Sequence, residues 1–179
     1  MQEKLAAYLA GFLDGDGSIH IQLIRQAEYR YGFYLRVSVS FHQHRTGRTG
    51  LEWIHSQLKA GYLRNREKDM SDYIITSRPV IRELLKAIAP YVVFKKRQVE
   101  QALEILDAID QINSPETFLN AARKAESFST LNRSKKRTNT LRTVLDAWND
   151  MGRHTPVTTD SKSVKADVDE TIISSSKIG

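Results

Sequence analysis

The chain of 179 residues contains no cysteine. That absence excludes disulfides, thiolate zinc sites and cysteine nucleophiles together, so a catalytic metal would need oxygen or imidazole ligands. No apolar run reaches the roughly eighteen residues that a membrane-spanning helix requires. No charged-then-apolar leader precedes a small-residue cleavage site either. The expectation is an intracellular protein with no membrane partner; cytoplasm and organelle are not separated by the sequence. The opening glycine-acid segment is not repeated further along the chain.

What is present points to one globular domain. Apolar residues make up 40% of the chain, and its length suits a single domain with a sizeable core. The net charge of +6 is unevenly placed. From Arg153 onward four basic residues (Arg153, Lys162, Lys165, Lys177) balance four acidic ones (Asp160, Asp167, Asp169, Glu170). The whole excess therefore belongs to residues 1–152, a basic body suited to a polyanionic partner. Residues 153–179, rich in Ser, Thr, Asp and Lys, are expected to be a largely disordered tail.

Residues 3–13 carry apolar positions at helical spacing, with Gly15 and Gly17 expected to end the helix. Ala6 and Ala10, like Ala7 and Gly11, place small residues four apart, where helix backbones approach closely. That stripe fits either an internal helix or one that pairs with a second copy. Residues 18–23 and 34–42 then alternate apolar and polar, predicting a long hairpin. A helix over 51–58 and strands over 61–66 and 73–76 follow, with "EKDMSD" as their connector. Further helices are predicted from Pro79, over 96–111, from Ser114-Pro115-Glu116 and over 140–151. The expected class is α+β: one antiparallel sheet with helices on one face and the other face open.

The chemistry centres on "LAGFLDGDGS". A carboxylate at a helix C-terminus meets the negative end of the dipole and needs a compensating cation. Magnesium or calcium accepts carboxylate and main-chain oxygen, and glycine exposes the carbonyl. A plain solvated turn is the alternative. An EF-hand is excluded because no glutamate stands at the twelfth position, and a P-loop because the lysine is missing.

The segment closely resembles the signature of LAGLIDADG homing endonucleases. "GYLRNREKDMSDYII", "PYVVFKKRQ" and "LNRSKKRTNTLRTVLDAW" resemble successive segments of the single-motif, homodimeric branch, over roughly Leu5 to Met151. The resemblance implies an αββαββα fold with a saddle-shaped sheet, occupying residues 1–152. It implies a site-specific, magnesium-dependent double-strand DNA endonuclease, with Mn2+ or Ca2+ able to substitute for binding and no small-molecule cofactor. Two copies would pair through Ala6, Ala7, Leu9, Ala10, Gly11, Leu13 and Asp14. They would cleave a long pseudo-palindromic site across the minor groove and leave 3' overhangs. Asp16 falls on the metal-binding acid and Gly15 on the carbonyl ligand. Gln43 matches a water-ordering glutamine and Lys95 a lysine that stabilises phosphate charge. Arg45 and Arg48 both qualify for a nearby basic position, of which Arg48 is taken.

The polar face of the hairpin offers His20, Gln22, Ile24, Gln26, Glu28, Tyr29, Arg36, Ser38 and Ser40 to the major groove, extended by Arg64 and Arg66. Between residues 123 and 142 seven basic residues face one acid, Glu126. Ser134, Lys135, Lys136 and Arg137 are expected to grip phosphates there. Two other readings remain: a relative that has lost cleavage, such as an RNA maturase or transcription regulator, and a basic metal-binding enzyme acting on small phosphates.

Overall fold

The computed structural model describes residues 1–132 and 139–150. Ser134, Lys135, Lys136 and Arg137, with the 153–179 tail, lie outside the described residues. The first helix, α1, spans Glu3–Asp16 and buries Ala6, Leu9, Ala10 and Leu13. It runs past the expected end at residue 13, through Gly15 to Asp16. Gly15 is tolerated inside it, whereas Gly17 is where the helix stops. A Cβ on Gly17 would lie 2.6 Å from Leu13 Cα and 2.9 Å from Leu13 O. Only glycine lets the chain leave the helix that closely against its own last turn.

Strand β1 (Gly17–Arg25) starts at once and pairs antiparallel with β2 (Phe33–His44), from Gly17 opposite Phe41 to Arg25 opposite Phe33. Gly32, at φ +72°, turns the chain back between them. A 3-10 turn (Arg45–Gly47) leads into α2 (Arg48–Leu58), which therefore begins three residues before the apolar run. Strands β3 (Tyr62–Arg66) and β4 (Met70–Ile75) complete a sheet of order β1-β2-β4-β3, antiparallel throughout. Helices α3 (Arg78–Ile88), α4 (Lys96–Asp110), α5 (Pro115–Phe128) and α6 (Leu141–Asp150) follow. The αββαββα order is thus present, with further helices after it. No helix among the described residues is long and apolar enough to cross a membrane.

Period-two alternation sorts the sheet into two faces. Ile19, Ile21, Leu35, Val37, Val39, Phe41, Tyr73 and Ile75 join the buried core with residues of α1, α2, α3, α4 and α5. A second apolar cluster ties the hairpin tip to α5 and α6 through Tyr31, Phe33, Phe118, Val144 and Trp148. The Trp148 indole N–H donates to Tyr31 O at 3.0 Å. At the sheet edge, side-chain amides of Asn132 and Asn139 donate to Ile19 O and Leu23 O of β1, at 2.9 and 3.0 Å.

Candidate active site and nucleic-acid face

The end of α1 gathers the chemistry. A helix leaves its last carbonyls short of intrahelical donors; here the Gly17 N–H still reaches Leu13 O at the cap. The Lys95 ammonium donates to Leu13 O at 2.8 Å and Asp14 O at 2.7 Å, so a cation from the start of α4 sits on the negative end of the α1 dipole. Asp14 is half-buried and structural. Its Oδ2 accepts the main-chain N–H groups of Val93 at 2.7 Å and Phe94 at 3.1 Å, and its Oδ1 that of Lys95 at 2.9 Å. Asp14 thereby fixes the segment that delivers Lys95.

Asp16 is different. Its carboxylate is exposed, and among the described residues its hydrogen-bond partner is a neutral amide, Gln43 Nε2 at 2.9 Å. Among the described residues no ion pair engages this carboxylate, so it is open to a ligand from outside the chain. No group of three or more acidic or histidine ligands exists among the described residues. A divalent-cation shell takes about six oxygens or more, more than Asp16 and the Gly15 carbonyl supply between them.

The structure brings Asp16, Gly15, Gln43 and Lys95 to this end of α1. It places Arg48 otherwise: its guanidinium bonds Glu52 Oε1 at 2.8 Å and Asn65 Oδ1, on α2 and β3. Arg45 pairs with Asp69 at 3.5 Å. Neither arginine touches Asp16.

The paired-helix set is divided by burial, which corrects the expectation for four of its members. Ala6, Leu9, Ala10 and Leu13 are at most 3% exposed and face this chain's own sheet. Ala7, Gly11 and Gly15 point outward, and a Cβ on Gly11 or Gly15 would meet nothing within 4 Å. At 100° per residue, 6/9/10/13 and 7/11/15 are separate stripes. The outward one is the narrower.

On the open sheet face, His20, Gln22 and Arg36 are exposed, and Arg36 Nη2 donates to Gln22 Oε1 at 2.6 Å. Ser38 and Ile24 are half-buried there. Gln26, Glu28 and Tyr29 lie in the hairpin tip, not on a strand, and the Tyr29 ring stacks on Tyr34 at 4.5 Å. Ser40 is 5% exposed with its hydroxyl 3.2 Å from His42 Nε2, so it does not stand out towards a ligand.

Arg64 and Arg66 are half-exposed and share a residue that the sequence reading missed, Asp72. "EKDMSD" reads as a connector, in which an acid is unremarkable. In the structure β4 starts at Met70, and Asp72 stands between His42 and Arg64 in register. Burial alone would raise the Asp72 carboxyl. Hydrogen bonds from Arg64 and His42, with the charges of His42 and Arg66, hold it below the usual carboxylate range instead.

The sequence model of the LAGLIDADG endonuclease family matches residues 9–103. The chain belongs to that family. It carries one signature, as single-motif LAGLIDADG endonucleases do. DNA endonuclease I-CreI of Chlamydomonas reinhardtii is 30% identical over 158 residues, 86% of this chain and 96% of that protein. DNA endonuclease I-CvuI of Chlorella vulgaris is 30% identical over 132 residues, 74% of this chain and 82% of its own. A crystal structure of I-CvuI with its target and calcium superposes with a TM-score of 0.78 at 28% identity, covering 84% of this chain and 96% of that one. This LAGLIDADG protein is therefore a DNA-cleaving enzyme, with its open sheet face and the end of α1 as the surfaces that carry polar chemistry.

Proposed function

We propose that this endonuclease works as a homodimer that cleaves both strands of a pseudo-palindromic DNA site with magnesium, acting across the minor groove and leaving 3' overhangs. The observation that carries the reading is the exposed Asp16 carboxylate at the end of α1, whose partner among the described residues is a neutral amide. One chain supplies one such acid; a second copy related by symmetry supplies the other. The outward stripe of Ala7, Gly11 and Gly15 leaves room for a partner helix. Beside it the segment fixed by Asp14 exposes Val93 (74%) and Phe94 (82%), an apolar surface that self-association would cover. The complexes of I-CvuI with DNA in the presence of calcium or magnesium support DNA and a divalent ion as partners.

Asp16 and the Gly15 carbonyl would hold the divalent ion, whose chemistry is to polarise a phosphate and acidify water. The chain's own residues do the rest. The Gln43 amide orients the Asp16 carboxylate and offers its carbonyl oxygen to a water. The Lys95 ammonium neutralises the helix end, so that a phosphate approaches it without meeting uncompensated carbonyl dipoles. The open sheet face, with Arg36, Arg64 and Arg66, suits the major groove. Ser134, Lys135, Lys136 and Arg137 complete the proposal as phosphate contacts.

The test is cleavage of a randomised duplex library with magnesium, read by sequencing the cut ends, beside sedimentation of the protein. A symmetric selected site, 3' overhangs and a dimer are expected. An asymmetric site or an active monomer would overturn the proposal.

A further inference from the structure

Asp72 is an anomaly. It is fully buried, yet it lies on the open, polar face of the sheet, where a carboxylate would ordinarily reach water. What covers it are the side chains that bind it. His42 Nδ1 lies 2.8 Å from Oδ1, Arg64 Nη2 2.7 Å from Oδ2, and Arg66 Nη1 3.6 Å from Oδ1. A carboxylate only accepts, so the His42 proton is on Nδ1. In the neutral ring Nε2 is then an acceptor, and the Ser40 hydroxyl donates to it at 3.2 Å.

Ser40, His42 and Asp72 stand in the order of a hydrolytic triad. That reading fails on two counts. Ser40 is 5% exposed, and β2 is an interior strand whose amides near Ser40 are engaged in ladders with β1 and β4, so no oxyanion donors are free. What the arrangement does is orient ring and guanidinium tips. Asp72 fixes one acceptor nitrogen and one donor fork side by side, on the face that this endonuclease would lay in the major groove.

We propose that His42 reads a base, its ring held by Asp72 so that Nε2 accepts from the exocyclic amino group of adenine or cytosine. This rests on the DNA-binding reading above. Arg64 beside it donates to guanine N7 and O6, the natural partner of a guanidinium fork. Asp72 is the positioning residue for both. When DNA docks, the amino group replaces the Ser40 hydroxyl at Nε2. The recognised element is an amino-bearing base next to a guanine in each half-site.

The chemistry gives a directional test. Asn at position 72 presents an N–H to His42 Nδ1, which favours the tautomer with its proton on Nε2. The ring then donates where it had accepted. Site selection with the randomised duplex is run on wild-type protein and on the His42→Ala and Asp72→Asn variants, with melting curves to confirm folding. His42→Ala is expected to flatten the amino-base preference at one position per half-site by about tenfold. Asp72→Asn is expected to turn that preference towards keto bases, guanine or thymine, and to relax the adjacent guanine. A merely structural role for Asp72 would weaken all positions alike. If Asp72→Asn does not fold, a duplex with the amino group deleted from the selected base decides: wild type loses about tenfold in affinity and His42→Ala does not. An unaltered profile for His42→Ala, or a wild-type site with no amino-base position, overturns this proposal alone. A protein that selects no DNA site overturns the DNA-binding reading first.

Discussion

Asp14 and Asp16 are two acids in the same helical turn, and the structure assigns very different costs to their removal. Asp14 accepts three main-chain N–H groups. Asparagine there can keep the two on one oxygen, but its amide turns a donor towards the third. With a hydrogen bond to a charged group contributing about 1.5–3 kcal/mol, Asp14→Asn should cost about 2–3 kcal/mol. That lowers the melting temperature by roughly 4–12 °C for a chain of this size. Asp16 meets the negative end of the dipole and one neutral amide. Asn Oδ1 still accepts from Gln43, while the charge that opposes the dipole is removed. Because Lys95 already offsets part of that dipole, Asp16→Asn should shift stability by no more than about 0.5 kcal/mol, moving the melting temperature by roughly 2 °C at most. The assay is thermal melting of both variants without divalent metal, paired with cleavage and gel-shift of the selected duplex. The Asp16 variant should melt close to wild type, bind DNA and fail to cut. Melting more than a few degrees below wild type, or cutting at the wild-type rate, would show that Asp16 is held for structure and refute the argument.

Gly17→Ala forces a Cβ against Leu13 backbone at 2.6 Å. Overpacking on this scale costs about 1–3 kcal/mol or more, and because the junction must shift, both melting temperature and cleavage should drop. Gly11→Leu has open space within its own chain. The variant should still unfold cooperatively, at or below the wild-type temperature because association no longer stabilises it, while sedimentation shows loss of the dimer and cleavage disappears; an active dimer would contradict the outward-stripe interface. Asp72 links stability to acid. Its carboxyl is lowered from 3.8, so its contribution is full above that unfolded value and is lost as pH falls through the lower folded one. Urea midpoints between pH 5 and pH 2 should fall less steeply for Asp72→Asn than for wild type.

Much of this was legible in residue patterns because period and breaker residues are local. Alternation over 18–23 and 34–42 gave the hairpin and its faces, and Pro79 and Ser114-Pro115 marked helix starts that the structure retains. What escaped depends on neighbours remote in sequence. Gly15 looks like a terminator, yet the stop is set by Gly17 meeting Leu13, a contact no propensity describes. Leu9 and Ala10 look available to a partner until the sheet fills that side of α1. Asp14 is expected among the residues that pair two copies, but what it holds, the main chain of residues 93–95 of its own chain, lies some eighty positions away. Asp72 reads as a turn acid because its partners come from two other strands. The resemblance leaves Arg45 and Arg48 both eligible for one basic position, and neighbours decide against each: Glu52 and Asn65 engage Arg48, and Asp69 pairs with Arg45.

The two asparagine amides on the outer edge of β1 have a mechanical consequence. They occupy carbonyls that an edge strand would otherwise offer to any passing chain, and so discourage strand addition. They also anchor both flanks of the basic segment to the nine-residue strand whose first residue succeeds Asp16. Each amide thus ties the chain beyond α5 directly to the strand that leaves Asp16.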